Sequence, residues 1–330
     1  MSEYFYIDRE FDDFDAFAAS TRSWNVQMTQ LSQGKSINTL QQLSVEHAKL
    51  NYMVFNGHKT TVGDPPSGRT FAFHSSSMNS ELIWRKKKVG PNDLMIFPSG
   101  AEHDVMTKGQ DIHVFVVTLP ESVWRASLSD RDAEIWHKQL SSREIVSLSD
   151  RGMSKLKYSL LSYFKIIKKT PDVLDLEPFR RSVGEQTILA ITRALSVAKI
   201  NHSLESTRKS TPEAWGKIEK IIRVNGRSLL PISQLSQAAG VSERSLRRLF
   251  HDRYGISPKN YLNRIRLNGV RRDLRKRSSG ETAITDIANN WGFWHMGQFA
   301  ADYKLLFGEL PSTTLNKIRS TLDREQNSQS

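Results

Sequence analysis

Arg244, Arg247 and Arg248 recur at intervals of three and four, so a helix carries all three guanidiniums on one face. Each is a permanent cation with a planar fork of donors, suited to meeting something acidic. On another face of the same stretch, Leu246, Leu249 and Phe250 form an apolar stripe for burial. Ser242 stands where its hydroxyl can accept from an orphaned N–H of the first turn. Small and apolar residues from Ile232 precede the break Ala239-Gly240-Val241-Ser242. A small-residue helix, a tight glycine turn and an arginine-faced second helix read together as helix-turn-helix. Taken alone, the arginines also fit an ordinary solvated face.

The same plan returns further along. Ile284, 52 residues after Ile232, leads with Ile287 and Ala288 into a turn at Gly292, and Phe299, Tyr303 and Phe307 stripe the helix beyond it. Between the two units, Ser257-Pro258 opens a helix with proline near its first turn, expected over Pro258 to Lys276. Its apolar side is Tyr261, Leu262, Ile265, Leu267, Val270 and Leu274. From Lys259 to Arg277 there are eight Lys+Arg against the single acid Asp273. The second unit is far less charged. Its exposed face is Met296, Gly297, Ala300 and Ala301, and from Ala283 to Phe307 the one cation is Lys304, against Asp286 and Asp302. Trp291 and Trp294 flank its turn and read as core. His295, the titratable group beside that turn, reads equally as a phosphate contact, a cap or a surface residue.

Charge is distributed as those helices require. The 330 residues carry a net +12, but Thr211 to Ser330 holds 20 Lys+Arg against 11 Asp+Glu, a net of +9. The other 210 residues hold 27 against 24, a net of only +3. A basic third on a nearly neutral remainder suggests a polyanion-binding module joined to a domain with another task. With 38% hydrophobic residues the chain can bury a core, and its length allows about two domains. The absence of cysteine excludes disulfides and thiolate metal sites and fits a cytoplasmic protein. No apolar run reaches the roughly 18 residues of a membrane span, and the acidic, aromatic amino terminus is unlike a signal peptide.

The remaining elements follow from periodicity. Residues 1–147 carry short alternating or apolar runs: Met28–Leu31, Thr39–Val45, Tyr52–Phe55, Thr70–Phe73, Glu81–Trp84, Leu94–Phe97 and His113–Val117. Many short strands at close spacing predict a sandwich or barrel. Residues 148–201 turn helical, with stripes Leu156, Leu160, Leu161, Phe164, Ile167 and Ile188, Leu189, Ile191, Leu195, Val197. Such a helix pair either covers an open edge of the β-domain or joins a second copy. Residues 202–212 read as a polar linker, 213–320 as the basic domain and 321–330 as a disordered tail.

In the basic domain, Ala238-Ala239-Gly240-Val241-Ser242, Leu249-Phe250, Tyr254-Gly255-Ile256-Ser257-Pro258, Tyr261-Leu262, Arg266-Leu267, Ile287-Ala288, Gly292-Phe293 and Phe307-Gly308-Glu309-Leu310-Pro311 occur in order. This resembles the DNA-binding domain of AraC/XylS-type transcription regulators. The resemblance implies two helix-turn-helix units joined by a long helix, double-stranded promoter DNA as partner, RNA polymerase as a further one, and activation of transcription. Two rigidly joined helices can enter successive major grooves about 34 Å apart. Arginine can reach two acceptors on guanine, so Arg244 and Arg247, with Ser245 beside them, are the candidate base readers. Arg248 matches the family position that is usually basic and phosphate-directed, whereas the family's usual arginine in the second unit is Ala301 here. His295, Met296, Gly297, Ala300 and Lys304 complete the expected DNA face, and Lys259, Arg264, Arg271 and Arg272 are the expected phosphate contacts. The footprint is therefore expected to be asymmetric.

The resemblance also implies a cupin-like amino-terminal β-domain that senses a small molecule, giving an α+β chain overall. Leu94 to His103 is similar to the strand, proline-glycine turn and histidine of that domain. Trp24, Phe73, Trp84 and His103 are candidate pocket residues. Two alternatives stay open: the amino-terminal domain only dimerises or binds protein, or it is a metal-dependent cupin enzyme. His74, His103 and His113 lack an H-x-H pair and make a poor ligand set, so no metal or cofactor is expected. No nucleophile elbow or phosphate-binding glycine loop occurs, and no catalytic residue is expected.

Overall fold

In the computed structural model, residues 4–21, 24–75, 79–97, 103–128, 145–196, 198, 211–226, 230–276 and 284–317 are described. The chain forms two compact units, one of residues 1–28 and 36–204, the other of residues 29–35 and 205–330. Of the linker expected over residues 202–212, residues 202–210 lie outside the described residues, as does the tail 321–330, and Thr211 and Pro212 open a helix instead.

The first unit is a sandwich of two open sheets. Strands β1 (Phe5–Phe11), β3 (Asn38–Val45), β4 (Ala48–Phe55), β6 (Arg69–Ser75), β9 (Asp93–Phe97), β11 (Ile112–Leu119) and β12 (Ile145–Ser147) make one sheet, in the order β1-β3-β4-β11-β6-β9-β12. The other sheet, β2-β5-β10-β7-β8, takes β2 (Asn25–Gln30), β5 (Lys59–Asp64), β7 (Glu81–Trp84), β8 (Lys87–Val89) and β10 (His103–Lys108). Pairing is antiparallel, as in β11 against both β4 and β6, and β10 against both β5 and β7. Neither sheet closes, so the fold is a sandwich rather than a barrel.

Alternation along β11 shows how the core divides. Ile112, Val114 and Val116 face the second sheet, while Phe115, Val117 and Leu119 face the other way. The inner layer gathers Leu40, Met53, Phe55, Ala72, Met95 and Phe97 against Leu82, Trp84, Val89 and Val105, closed by Phe14 and Phe17 of α1 (Phe14–Ser20). A short helix, α2 (Glu121–Ala126), places Trp124 in the outer layer.

Helices α3 (Asp150–Lys169) and α4 (Glu177–Ser196) cover the outer face. Leu156, Leu160, Phe164 and Ile167 of α3 and Val183, Ile191 and Leu195 of α4 pack on Leu43, Phe71, Phe73, Phe115 and Val117. They cover a sheet face rather than the open edge that was one of the two alternatives, because the odd positions of β11 and β6 are as apolar as the even ones and need burial too.

The second unit is helical: α5 (Thr211–Asn225), α6 (Ile232–Ala239), α7 (Glu243–Tyr254), α8 (Pro258–Lys276), α9 (Ile284–Asn290) and α10 (Met296–Phe307). Helix α5, which the sequence reading did not single out, brings Trp215 into an aromatic cluster with Phe250, Tyr254 and Tyr261. Around the other end of α8, Leu267, Val270 and Leu274 pack with Ile287, Ala288, Trp291, Phe299, Tyr303 and Phe307. The long helix thus carries a separate small core at each end. That leaves two helix pairs fixed to one rod.

Candidate nucleic-acid interface

Each helix pair is built around a left-handed glycine. Gly240 (φ 67) ends α6 and Gly292 (φ 75) follows α9, a backbone region that side chains with a Cβ avoid. Ser242 then starts α7 as expected, its Oγ accepting from the N–H of Ser245 at 3.1 Å. Leu246 and Phe250 of α7 are fully buried and Leu249 partly so. With that stripe fixed inward, Arg244, Arg247 and Arg248 are all exposed, and Ser245 is half-buried among them. Arg247 donates to Glu243 at 3.1 Å, one turn back. An exposed pair of this kind contributes only about 0.2–1 kcal/mol, too little to keep Arg247 from a stronger acceptor.

The second pair presents a different surface. His295 stands at the N-cap of α10 without a side-chain capping bond, and its ring is exposed. Gly297 and Lys304 are exposed, Met296 and Ala300 half-buried. The two tryptophans part company. Trp291 is buried, donating from Nε1 to Asp273 at 2.8 Å, but Trp294 is 66% exposed, against the core role expected for it. Trp294 precedes the N-cap and so lies off the Phe299–Tyr303–Phe307 stripe, which is why its aromatic character misled the reading.

The cations of α8 are placed less uniformly than their count suggests. Lys259 is exposed. Arg271, expected at phosphate, is 6% exposed and holds Glu309 at 3.0 Å, its guanidinium 4.5 Å from the Phe307 ring. Burial works against the Glu309 charge, but bonds from Lys317 and Thr314 and the charge of Arg271 hold its carboxyl below the usual range. Arg264 is half-buried and donates to the Leu31 carbonyl. Next to it, the Asn268 side chain accepts from the Gln30 N–H at 2.9 Å and donates to the Gln30 carbonyl at 3.0 Å. Arg266 lies over the Phe293 ring at 4.8 Å. Arg272 is half-buried. Packing and ion pairing thus occupy Arg264 and Arg271 in this conformation, against expectation, whereas Arg244, Arg247 and Arg248 of α7 stay exposed.

In the first unit, three of the four candidate pocket residues come together in the inner layer. His103 lies 5.1 Å from Trp24 and 5.4 Å from Phe97, and Trp84 lies 4.7 Å from Phe97, measured between ring centroids. Burial pushes the His103 pKa down to about 4, so the ring is neutral near pH 7. Phe73 does not join them. It stacks on Phe115 at 4.9 Å in the helix-covered layer, because its place on β6 points it outward. Among the described residues no cluster of three His, Asp or Glu side chains could hold a metal. No helix among the described residues is long and apolar enough to cross a membrane.

Comparison with known proteins places these features. The sequence profile of a helix-turn-helix domain matches residues 235–317. The chain is 28% identical to the XylDLEGF operon transcriptional activator of Pseudomonas putida, over 73% of this chain and 74% of that protein. A second Pseudomonas putida protein, XylDLEGF operon transcriptional activator 2, is 32% identical over 39% of this chain and 82% of its own length. Among solved structures, the AraC-like transcriptional activator CuxR is similar with a TM-score of 0.43 and 12% identity, over 86% of this chain and 98% of CuxR.

Proposed function

The chain belongs to the AraC/XylS family of transcription regulators, and from that premise we propose that it activates transcription by reading promoter DNA chiefly through α7. The observation that carries this reading is the exposed face Arg244, Arg247 and Arg248 on a helix whose opposite stripe is locked in the core. Arg244 and Arg247 reach base edges, Ser245 supports them, and Arg248 and Lys259 hold phosphate. Helix α10 contributes shape and thymine-methyl contacts through Met296, Gly297 and Ala300, with His295, Lys304 and the exposed indole of Trp294 toward the backbone. RNA polymerase and a second copy of the chain are the proposed protein partners.

Mapping the bound DNA genome-wide gives the operator, on which single variants are then measured. Loss of a bidentate arginine costs about 1–3 kcal/mol, so Arg247→Ala weakens operator binding roughly 5- to 150-fold while Met296→Ala has the smaller effect. Full affinity in Arg247→Ala together with loss in Met296→Ala reverses the assignment.

The first unit is proposed to sense a small molecule. What supports this is the cluster Trp24, Trp84 and His103, each with a ring nitrogen that can donate or accept, inside a mainly apolar layer. Ligand acts by differential affinity for two arrangements of the chain. A metabolite that raises the unfolding temperature in a saturable way supports sensing. A domain that only dimerises shows no such response.

A further inference from the structure

The longest run of cations in the chain is Arg85-Lys86-Lys87-Lys88, and it lies in the first unit, not the second. Residues 1–210 hold 27 Lys+Arg against 24 Asp+Glu, so setting this run aside leaves 23 against 24. The nearly neutral part of the chain thus keeps its positive excess in one place. All four residues are exposed. Trp84 at the end of β7 pairs with Lys87 at the start of β8, so Arg85 and Lys86 form the two-residue turn of a hairpin. Leu82, Trp84 and Val89 are buried and fix the hairpin to the sandwich. Lys88 meets Glu81 at 2.6 Å, an exposed pair that a stronger acceptor can displace.

The turn is built from residues that its geometry disfavours. Arg85 has φ 46 and Lys86 φ 69. A two-residue hairpin turn with both φ values positive favours Asn-Gly, Asp-Gly or Gly-Gly. Among the described residues the other non-glycine positions with positive φ are only His47 and Asp111. Two adjacent long cations in that conformation therefore cost backbone stability, and strain of this kind gathers at functional sites. Lysines do guard sheet edges, and β8 is one. That need ends with the strand and does not extend to the turn. The edge strands β2 and β12 carry no cation at all.

Shape and charge together select the partner. The four cations lie within about 11 Å of chain, and Lys87 and Lys88 point to opposite faces of their strand. Cations that diverge from an exposed tip do not converge on a single small anion. They suit an extended polyanion instead. B-DNA presents one charge per about 1.7 Å of its axis, so several phosphates face a tip of this size at once. The first unit is also joined to the DNA-reading unit in one chain, which gives it a high effective concentration at any duplex that α7 occupies. A contact too weak to bind alone then adds to the affinity of the whole.

We propose that the β7–β8 hairpin is a second DNA contact, in which Arg85, Lys86 and Lys87 neutralise backbone phosphates beside the operator without reading sequence. This rests on the reading that the second unit binds promoter DNA through α7. The test measures binding of the full chain over a range of salt, to the mapped operator alone and to the operator with about three helical turns of flanking DNA on each side. Arg85→Asn with Lys86→Gly removes two charges and gives the turn the residues it favours, so this variant unfolds no lower than the wild type. On the long duplex its slope of log affinity against log salt is shallower by about 2, so its deficit grows about tenfold when salt is lowered about fourfold. On the short duplex it matches the wild type. Lys87→Gln, which leaves the turn as it is, loses about half as much slope on the long duplex. Equal slopes for the wild type and both variants on the long duplex overturn the proposal and leave the hairpin a guarded edge. Equal losses on both duplexes also overturn it, because flanking DNA is then not what the hairpin meets. So does unchanged DNA binding with reduced transcription, which assigns the hairpin to an acidic protein partner. If Arg247→Ala binds both duplexes like the wild type, the α7 reading fails; if it weakens both and the hairpin variants weaken neither, only the hairpin proposal fails.

Discussion

Arginine in this chain does two kinds of work, and only the partners of each side chain separate them. Arg247 is tied to an exposed neighbour one turn away, and Arg271 to a buried carboxylate from a distant part of the chain. Truncating one partner of a buried pair costs about 3–5 kcal/mol because the other charge is left stranded. Arg271→Ala is therefore expected to lower the unfolding temperature sharply, while the slope of operator affinity against salt stays unchanged, since no phosphate contact is lost. Arg247→Ala should leave unfolding alone and weaken DNA binding. A shallower salt slope in Arg271→Ala, with normal stability, would return Arg271 to the DNA surface. The sequence made these two arginines look alike. Spacing places a side chain on a helix face, but the acid that neutralises Arg271 lies beyond the second helix pair, and local periodicity carries no information about it.

Helices proved more legible than strands. The bounds of α8 coincide with the expected Pro258 to Lys276, and Gly240, Ser242 and Gly292 occupy the turn and cap positions read for them. Strands β1, β5, β8, β10 and β12 were not singled out, and β5 shows why. Its sequence Lys59-Thr60-Thr61-Val62-Gly63-Asp64 turns a lysine and a threonine inward, so the alternation that marks a half-buried strand is inverted. On α8, Gly269 has a role no periodicity shows: a Cβ there would meet the Trp291 ring at 2.1 Å. Ring and helix are held by the Trp291–Asp273 bond, so neither gives way freely. Gly269→Ala is expected to cost about 1–3 kcal/mol by overpacking, even though alanine favours the helix by roughly 1 kcal/mol. Equilibrium unfolding of the variant decides the sign, and a stabilised protein would show that Trp291 can move.

At the scale of the molecule, the division into units does not follow the order of the chain. Residues 29–35 belong with residues 205–330. Gln30 is hydrogen-bonded in both directions to the buried Asn268, its side chain donates to the Leu306 carbonyl at 2.7 Å, and the Gly34 N–H donates to the Leu305 carbonyl at 3.0 Å. A fragment of residues 205–330 lacks these partners. Each buried group left unpaired costs about 1–3 kcal/mol, so the fragment is expected to unfold at lower denaturant than the same unit in the full chain, and an excess of a peptide spanning residues 29–35 should recover part of the difference. Identical midpoints with and without the peptide would show that the segment adds nothing to the unit.

The same arrangement sets a timetable for synthesis. Gln30 and Asn268 are 238 positions apart, and at about 5–20 residues per second the ribosome needs roughly 10–50 s to supply the second after the first. For that interval Leu31, fully enclosed in the finished protein, waits without Arg264, which donates to its carbonyl. The newborn chain therefore carries a segment, Thr29 to Lys35, that finds its hydrogen-bond partners only once residues 264–306 have been made.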